Sequence, residues 1–203
     1  MTKSEWENLF LKCGVAPGPL QKWAVVFEDF FLKNSFTSGF QNEAPDFLSQ
    51  ILHESGRLTT LEENLNYSAK RMTEVWPKRF PTLQDAQPYA NNPKALANKT
   101  YGGRLGNTQP DDGWDFRGSG FIMVTGRTNF KLLGNVLGLP LEVQPELLRT
   151  PGEESLLAAF KWWEGNVSDA IMGNPVKVRK AVNGGDIGLT DTQKLSKLIG
   201  ASL

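Results

Sequence analysis

The helical periodicity of this chain is clearest in residues 47–56, which read Phe-Leu-Ser-Gln-Ile-Leu-His-Glu-Ser-Gly. Apolar side chains recur there every three or four residues, and this spacing predicts a helix over 42–55 that ends at Gly56. At about 100° per residue, Glu54 lies within about 20° of Phe47 around the helix axis. The Glu54 carboxyl group is therefore expected to point along the apolar face, which makes it the first candidate for chemistry.

The same periodicity, interrupted by turn-forming residues, extends over most of the chain. Further helices are predicted over 20–32, 69–76, 155–164, 175–183 and 190–199, with two short ones after Thr82 and Asn92. Ser68 is the predicted N-cap of the helix over 69–76. Residues 150–153, Thr-Pro-Gly-Glu, match a capping box with proline at the first helical position.

A glycine-rich interruption occupies residues 101–120 and separates the helical segments on either side of it. An irregular stretch of this length inside a compact domain is usually functional. Phe121–Val124 follows it as the strand candidate of the chain. We therefore predict a single mainly α domain over residues 1–203, with two helical lobes flanking a cleft and a small β element.

Composition argues against several classes of protein. The 203 residues fit one domain, and the 22 Lys and Arg residues balance the 22 Asp and Glu residues, so nucleic-acid binding is not expected. One cysteine, Cys13, excludes an intrachain disulfide framework, and one histidine, His53, excludes a site built from several imidazoles. Residues 1–6 lack the features of a signal peptide, and no apolar run approaches a membrane span of about 18 residues. We expect a soluble monomer without cofactor or metal.

Two glutamates are candidates for acid–base catalysis. The apolar face and the negative end of the helix dipole both disfavour an ionised Glu54, as a general acid working near neutrality requires. Glu63 follows nine residues later, and Gly56 breaks the helix so that the chain can turn between them. Carboxyl groups about 6.5–9.5 Å apart act in inverting glycosidases and groups about 5–5.5 Å apart in retaining ones, and the sequence leaves this distance open. A helix-end glutamate in water and a solvated acidic turn at Glu62–Glu63 are the alternative interpretations.

Short polar side chains in or beside glycine-flanked turns are candidates for sugar binding. Thr125, Arg127, Asn129 and Asn183 have the hydrogen-bonding groups to bind sugar hydroxyls or a positioned water, and the same side chains also suit helix caps. Trp114 in the glycine-rich segment is either a stacking platform for a sugar or a core aromatic residue.

Eight motifs follow one another over residues 53–185: His53–Gly56, Glu63–Ala69, Trp76–Phe80, Tyr101–Asn107, Asp112–Gly120, Phe121–Phe130, Gln144–Leu148 and Val182–Gly185. In this order they resemble phage endolysins of glycoside hydrolase family 19, which are relatives of the plant class I chitinases. Three positions depart from the family pattern. Met123 stands where a glutamine is usual, and Ser119 where the second arginine of Arg-Gly-Arg-Gly is usual. The arginine usual after Asn-Gly-Gly, near Asp191, is replaced by Thr192 or Gln193.

The resemblance implies a lysozyme-like, mainly helical fold with a helical lead-in over residues 1–40 and a glycan-binding cleft. It also implies an inverting mechanism without metal or cofactor. Glu54 would be the general acid, Glu63 the general base, and Thr125 would help to hold the attacking water. The implied substrate-binding residues are Tyr67, Arg117, Asn129 and Asn183.

The implied partner is the glycan strand of peptidoglycan, whose β-1,4-linked N-acetylhexosamines also occur in chitin. We expect synthesis in a host bacterial cytoplasm without a signal peptide, and action on the cell wall in the periplasm after release. Two alternatives remain open from the sequence: a lytic transglycosylase, which needs one catalytic glutamate, and a non-catalytic glycan-binding phage protein.

Overall fold

A computed structural model describes residues 1–33 and 40–203, and of Phe40 and Gln41 it describes the backbone alone. Part of the predicted lead-in over 1–40, residues 34–39, lies outside the described residues. The described α-helices, in chain order, are α1 Lys3–Lys12, α2 Pro17–Lys33, α3 Phe40–Glu54, α4 Ala69–Val75, α5 Leu83–Ala86, α6 Pro93–Tyr101, α7 Asp112–Asp115, α8 Arg127–Leu137, α9 Glu153–Asn166, α10 Pro175–Asn183 and α11 Leu189–Gly200. Short 3₁₀ helices lie at Gln87–Tyr89, Pro145–Leu148 and Asp169–Ile171.

The prediction of a mainly α fold is confirmed, but the predicted strand over Phe121–Val124 is wrong. The residues form a turn closed by an antiparallel bridge, in which Ser119 and Val124 exchange backbone hydrogen bonds of 3.0 and 2.9 Å. Met123 has a φ of +50°, a left-handed value that an extended strand does not contain. The apolar run has another explanation, because Phe121 is buried against Trp23 with ring centroids 5.2 Å apart.

The described chain divides into two compact units. Unit 1 comprises Met1–Leu61, Gly120–Ile122 and Leu147–Leu203, and unit 2 comprises Glu62–Ser119 and Met123–Glu146. None of the helices in the described ranges is long and apolar enough to cross a membrane.

Unit 1 is built around an aromatic core. Trp6 of α1 lies against Phe10 and Phe27 with ring centroids 5.5 and 5.1 Å apart. Phe47 of α3 packs edge-on to Trp163 of α9 at 5.5 Å, which joins the two helices. Burying each such side chain contributes roughly 1.5–3 kcal/mol to folding, so the core holds the helices that carry the functional residues of this unit.

Unit 2 has a smaller core of its own. Met72 of α4, Phe80 and Leu96 of α6 are fully buried. The side chains of Tyr67 and Trp76 pack against this core and against each other, with ring centroids 4.9 Å apart. The helices of this unit are short, so packing rather than helix propensity stabilises them.

Side-chain caps account for the accuracy of several predicted helix starts. Ser68 accepts a hydrogen bond from the Arg71 amide, and Thr82 and Asn92 cap α5 and α6 in the same way. The capping box predicted at 150–153 is wrong, because α9 begins at Glu153 with Gly152 as its N-cap and without a side-chain cap. Helix α2 begins at Pro17 instead of Leu20, since prolines are tolerated in the first turn, where amides have no helical partner.

The glycine-rich segment and the residues after it are more helical than expected. Helix α7 forms within the segment, and α8 follows Gly126, whose φ of +91° begins the helix without a side-chain cap. Arg127 and Asn129, which were placed in or beside glycine-flanked turns, therefore lie on the first turn of α8.

The chain leaves α3 through three consecutive left-handed residues. Gly56, Arg57 and Leu58 have φ values of +55°, +64° and +64°. For residues other than glycine this conformation costs roughly 1–2 kcal/mol each, and the surrounding structure fixes it. The Arg57 guanidinium donates to the Cys13 carbonyl at 2.9 Å and to Asp191 Oδ1 at 2.6 Å, and the indole of Trp23 donates to the Leu58 carbonyl at 3.0 Å.

Candidate active site

Glu54 is the last residue of α3 in unit 1, and about a third of its side chain is exposed. Its Oε1 accepts a hydrogen bond of 2.6 Å from Arg179 Nη1. Among the described residues, no group donates to Oε2. The contact between the Arg179 guanidinium and this carboxyl group is an ion pair.

Arg179 of α10 is 2% exposed, and three hydrogen bonds fix its guanidinium. Besides Glu54, it donates to Gln50 Oε1 at 2.8 Å and, through Nε, to the Ile187 carbonyl at 2.6 Å. Gln50 precedes Glu54 by four residues, so both point from the same face of α3 toward the guanidinium. The arrangement holds Oε1 of Glu54 in place, and no residue in the described part of the chain donates to its second oxygen.

Asn183, at the end of α10, lies near the same backbone carbonyl as Arg179. Its Nδ2 is 3.5 Å from the Ile187 carbonyl that Arg179 also contacts, and its Oδ1 accepts from the Gly185 amide at 3.1 Å. Unit 1 therefore links two of the predicted site residues to one buried arginine, since Glu54 accepts from Arg179 directly and Asn183 shares the Ile187 carbonyl with it.

Glu63 belongs to unit 2 and is half-buried, with both carboxyl oxygens hydrogen-bonded. The Gly118 amide donates to Oε1 at 2.6 Å, and the Tyr101 hydroxyl donates to Oε2 at 2.6 Å. The Glu63 amide in turn donates to the Gly118 carbonyl at 3.0 Å. Backbone and side chain of Glu63 are thus both tied to one glycine of the glycine-rich segment.

The close packing of α6 and α7 places Tyr101. A Cβ at Gly113 would lie 2.6 Å from Asn98 Cα, so only glycine allows this approach. Asn98 Oδ1 accepts from the Trp114 amide at 2.8 Å and fixes the two helices further. Tyr101 ends α6, and its pKa is raised well above the usual range, first by burial and then by its hydrogen bond to Glu63. The phenol therefore stays protonated as a donor.

Arg117 is buried and its guanidinium is occupied by protein groups. It stacks on the indole of Trp114 at 3.7 Å from the ring centroid and donates to the Trp114 carbonyl at 2.8 Å. Its Nη2 forms an ion pair with Glu62 Oε2 at 2.5 Å. The contacts of this predicted binding residue are therefore with protein groups.

Three further predicted residues of unit 2 keep polar atoms near the surface. The half-buried Thr125 donates from Oγ1 to the Met123 carbonyl at 2.9 Å, and the exposed Asn129 donates from Nδ2 to the Thr125 carbonyl at 2.8 Å. Thr125 and Asn129 are therefore neighbours. Tyr67 is half-buried beside Trp76. Across residues 1–33 and 40–203, no group of three or more His, Cys, Asp or Glu side chains is arranged to hold a metal ion.

Comparison with known proteins identifies the family. No protein-family model matches the chain. The chain is 34% identical over 155 residues to a glycosyl hydrolase family 19 domain-containing protein of Haemophilus influenzae, covering 75% of this chain and 76% of that protein. The chain belongs to glycoside hydrolase family 19. As a family 19 member it is a glycosidase.

Solved structures confirm the lysozyme-like fold expected of a family 19 protein. Chitinase C from Streptomyces griseus matches with a TM-score of 0.55 and 15% identity, over 98% of this chain and 76% of that one. A mutant of chitinase C matches with a TM-score of 0.57 and 14% identity over the same shares. At these identities the likeness concerns the fold alone.

The sequence interpretation missed three residues that fix the candidate catalytic glutamates of this family 19 protein. They are Gln50, Tyr101 and Arg179. Gln50 has a detectable signal, because a polar side chain one helical turn before Glu54 lies on the same apolar face. Tyr101 and Arg179 lie 38 and 125 residues from the glutamates they contact, so no local spacing pairs them.

Proposed function

We propose that this glycosidase is a peptidoglycan-degrading endolysin, which acts as a monomer on glycan strands. It would hydrolyse β-1,4 bonds between N-acetylhexosamines with inversion. One observation supports the different roles that we assign to the two glutamates in this reaction. Glu54 has one oxygen anchored by Arg179 and the other without a hydrogen-bond partner among the described residues, whereas Glu63 has both oxygens bound by neutral donors.

In the proposed mechanism Glu54 is the general acid. Its Oε2 holds a proton and transfers it to the glycosidic oxygen as the bond from that oxygen to C1 breaks. An acid needs one oxygen that no protein donor occupies, and within residues 1–33 and 40–203 no donor occupies Oε2. General acid catalysis of this kind contributes about 10²–10⁴-fold to rate.

Glu63 is the proposed general base. It takes one proton from a water molecule while the water oxygen bonds to C1 from the face opposite the leaving group. Two neutral donors stabilise the negative carboxylate without neutralising it, and the remaining lone pairs can still accept from water. Thr125 would help to hold this water, since its hydroxyl oxygen keeps lone pairs free after donating to Met123.

Sugar binding is proposed for four residues. Asn129 and Asn183 present exposed amides, and Tyr67 a half-buried phenol, as donors and acceptors for sugar hydroxyls. Arg117 would contribute through the fixed position of the Trp114 indole, on which it stacks.

The test is digestion of purified peptidoglycan and of an N-acetylglucosamine hexamer by the wild type and by Glu54→Gln and Glu63→Gln. We expect Glu54→Gln to lose at least about 10²-fold in kcat and Glu63→Gln to lose most activity. Glu74→Gln, an exposed acid on α4 paired with Arg71, is the matched control and should keep full activity. Anhydro-sugar ends in the mass spectrum with an active Glu63→Gln would indicate a lytic transglycosylase instead.

The substrate and the place of action need separate tests. Cleavage of the hexamer with intact peptidoglycan would contradict the endolysin proposal and leave the glycosidase in place. We propose that the chain is made in the bacterial cytoplasm and acts in the periplasm after release. Cells expressing it should lose turbidity when their inner membrane is permeabilised, and cells expressing Glu54→Gln should not.

A further inference from the structure

Tyr101 has no role in the proposed reaction, yet it makes one of the two hydrogen bonds that hold the Glu63 side chain. The Tyr101 hydroxyl and the Gly118 amide bind different oxygens of the carboxylate, each at 2.6 Å. Because each oxygen has its own fixed donor, the carboxylate cannot rotate about its terminal bond without losing both hydrogen bonds.

We infer that Tyr101 is a positioning residue for Glu63, whose hydroxyl group fixes the orientation of the carboxylate. The inference rests on the proposed role of Glu63 as general base. It concerns the hydroxyl group alone, since a phenylalanine ring would fill the same space.

Gly118 supports this from the opposite side of the carboxylate. A Cβ at residue 118 would lie 3.2 Å from both Cδ and Oε1 of Glu63, so the carboxyl group rests directly on a glycine surface. The amide of Gly118 belongs to a segment in which Glu62 and Ser119 form an antiparallel bridge. The Glu63 carboxylate is therefore held between the rigid backbone at Gly118 and the phenol of Tyr101.

The charges around Tyr101 keep the phenol in its donor form. Burial raises the pKa of Tyr101 most, followed by the hydrogen bond to Glu63 and the negative charge of that residue. Arg79 acts in the opposite direction and lowers the pKa, and Tyr67 raises it. The nearby Glu62 is paired with Arg117, so its charge is compensated by a cation. The hydroxyl proton consequently remains on Tyr101, which donates it in the hydrogen bond to Glu63.

The first test is Tyr101→Phe, assayed by release of reducing ends from peptidoglycan or the hexamer, whichever the wild type cleaves. A hydrogen bond to a charged group is lost, so we expect kcat to fall by about 10- to 100-fold with a smaller change in KM. The fall should be seen in kcat per folded molecule, because the misoriented carboxylate acts only on the reacting water and not on substrate binding. A purely structural role would lower the folded fraction and leave kcat per folded molecule unchanged.

Tyr89→Phe is the matched control. Its ring also packs in the unit 2 core, 5.6 Å from Phe80, and its hydroxyl has no hydrogen-bond partner in the part of the chain that the structure describes. The kcat and KM of Tyr89→Phe should equal those of the wild type. A folded Tyr101→Phe with the kcat and KM of the wild type would overturn the inference.

Two further variants keep the outcome interpretable. Gly118→Ala retains the phenol and pushes on the carboxylate from the other side, and should lower kcat by about 10-fold even if Tyr101→Phe does not fold. In the Glu63→Gln background Tyr101→Phe should have no additional effect on kcat. Full activity of Glu63→Gln would refute the role of Glu63 itself, whereas an inactive Glu63→Gln with a fully active Tyr101→Phe refutes only the role of Tyr101.

Discussion

Replacing Arg179 by methionine tests the buried contact that holds Glu54. The side chain is 2% exposed and makes three hydrogen bonds, to Glu54, Gln50 and the Ile187 carbonyl. Methionine keeps most of the volume and removes the charge and all three donors. Gln50, itself 3% exposed, then loses the donor to its side-chain oxygen.

The expected loss follows from the burial of each partner. Breaking a fully buried ion pair costs about 3–5 kcal/mol. The Glu54 side chain is 30% exposed, so water can solvate its carboxylate and the loss falls at the lower end. We expect Arg179→Met to destabilise the protein by about 3 kcal/mol, which lowers Tm by about 6–12 °C in a chain of this length.

Thermal unfolding followed by circular dichroism measures this difference, with Lys180→Met as control. Lys180 is the next residue of α10 and is exposed, so its replacement should change Tm by no more than about 2 °C. Equal Tm values for Arg179→Met and Lys180→Met would refute the claim that the buried guanidinium stabilises unit 1.

Two more predictions concern unit 2. The Asp112 side chain is 2% exposed, and its pKa is lowered chiefly by the hydrogen bond from Arg127. The stability that the ionised side chain contributes is therefore present above the unfolded pKa of about 4 and is lost as pH falls below that value. Asp112→Asn should therefore flatten the fall in Tm between pH 5 and pH 2, and an unchanged slope would contradict this linkage. Gly106 has a φ of +80°, and a Cβ there would lie 2.1 Å from Thr128 Oγ1, so Gly106→Ala should destabilise by more than the roughly 1–2 kcal/mol of left-handed strain. Gly103 has a φ of +71° and open space around an added Cβ, so Gly103→Ala should lose stability through the left-handed strain alone. Equal urea midpoints for the two variants would refute the steric contribution at Gly106.

The helices that local chemistry specifies could be predicted from the sequence. Ser68, Asn92 and Asn174 each cap a helix with their own side chain, and the predicted starts after them are confirmed. Helix α8 has no such signal, because Gly126 begins it with a left-handed φ and no side-chain cap. Without a cap, the glycines on both sides indicated turns.

Contacts that join distant parts of the chain could not be predicted. An apolar run such as Phe121–Val124 has the same composition in a strand and in a buried turn, and only its packing against Trp23 distinguishes them. For the candidate site, periodicity placed Glu54 on the inner face of α3, but its partner Arg179 lies 125 residues away. The orientation of both candidate catalytic glutamates depends on such distant partners.

The left-handed turn after α3 restricts how position 57 can change in evolution or by design. A glycine at 57 would remove the conformational cost of a φ of +64°, but it would also remove the guanidinium that binds the Cys13 carbonyl and Asp191. An arginine retains those bonds and bears the backbone cost, and a β-branched residue satisfies neither requirement. Substitutions that remove the backbone strain at residue 57 therefore also remove the hydrogen bonds of its guanidinium. We expect a change at residue 57 to be accompanied by a change at Asp191.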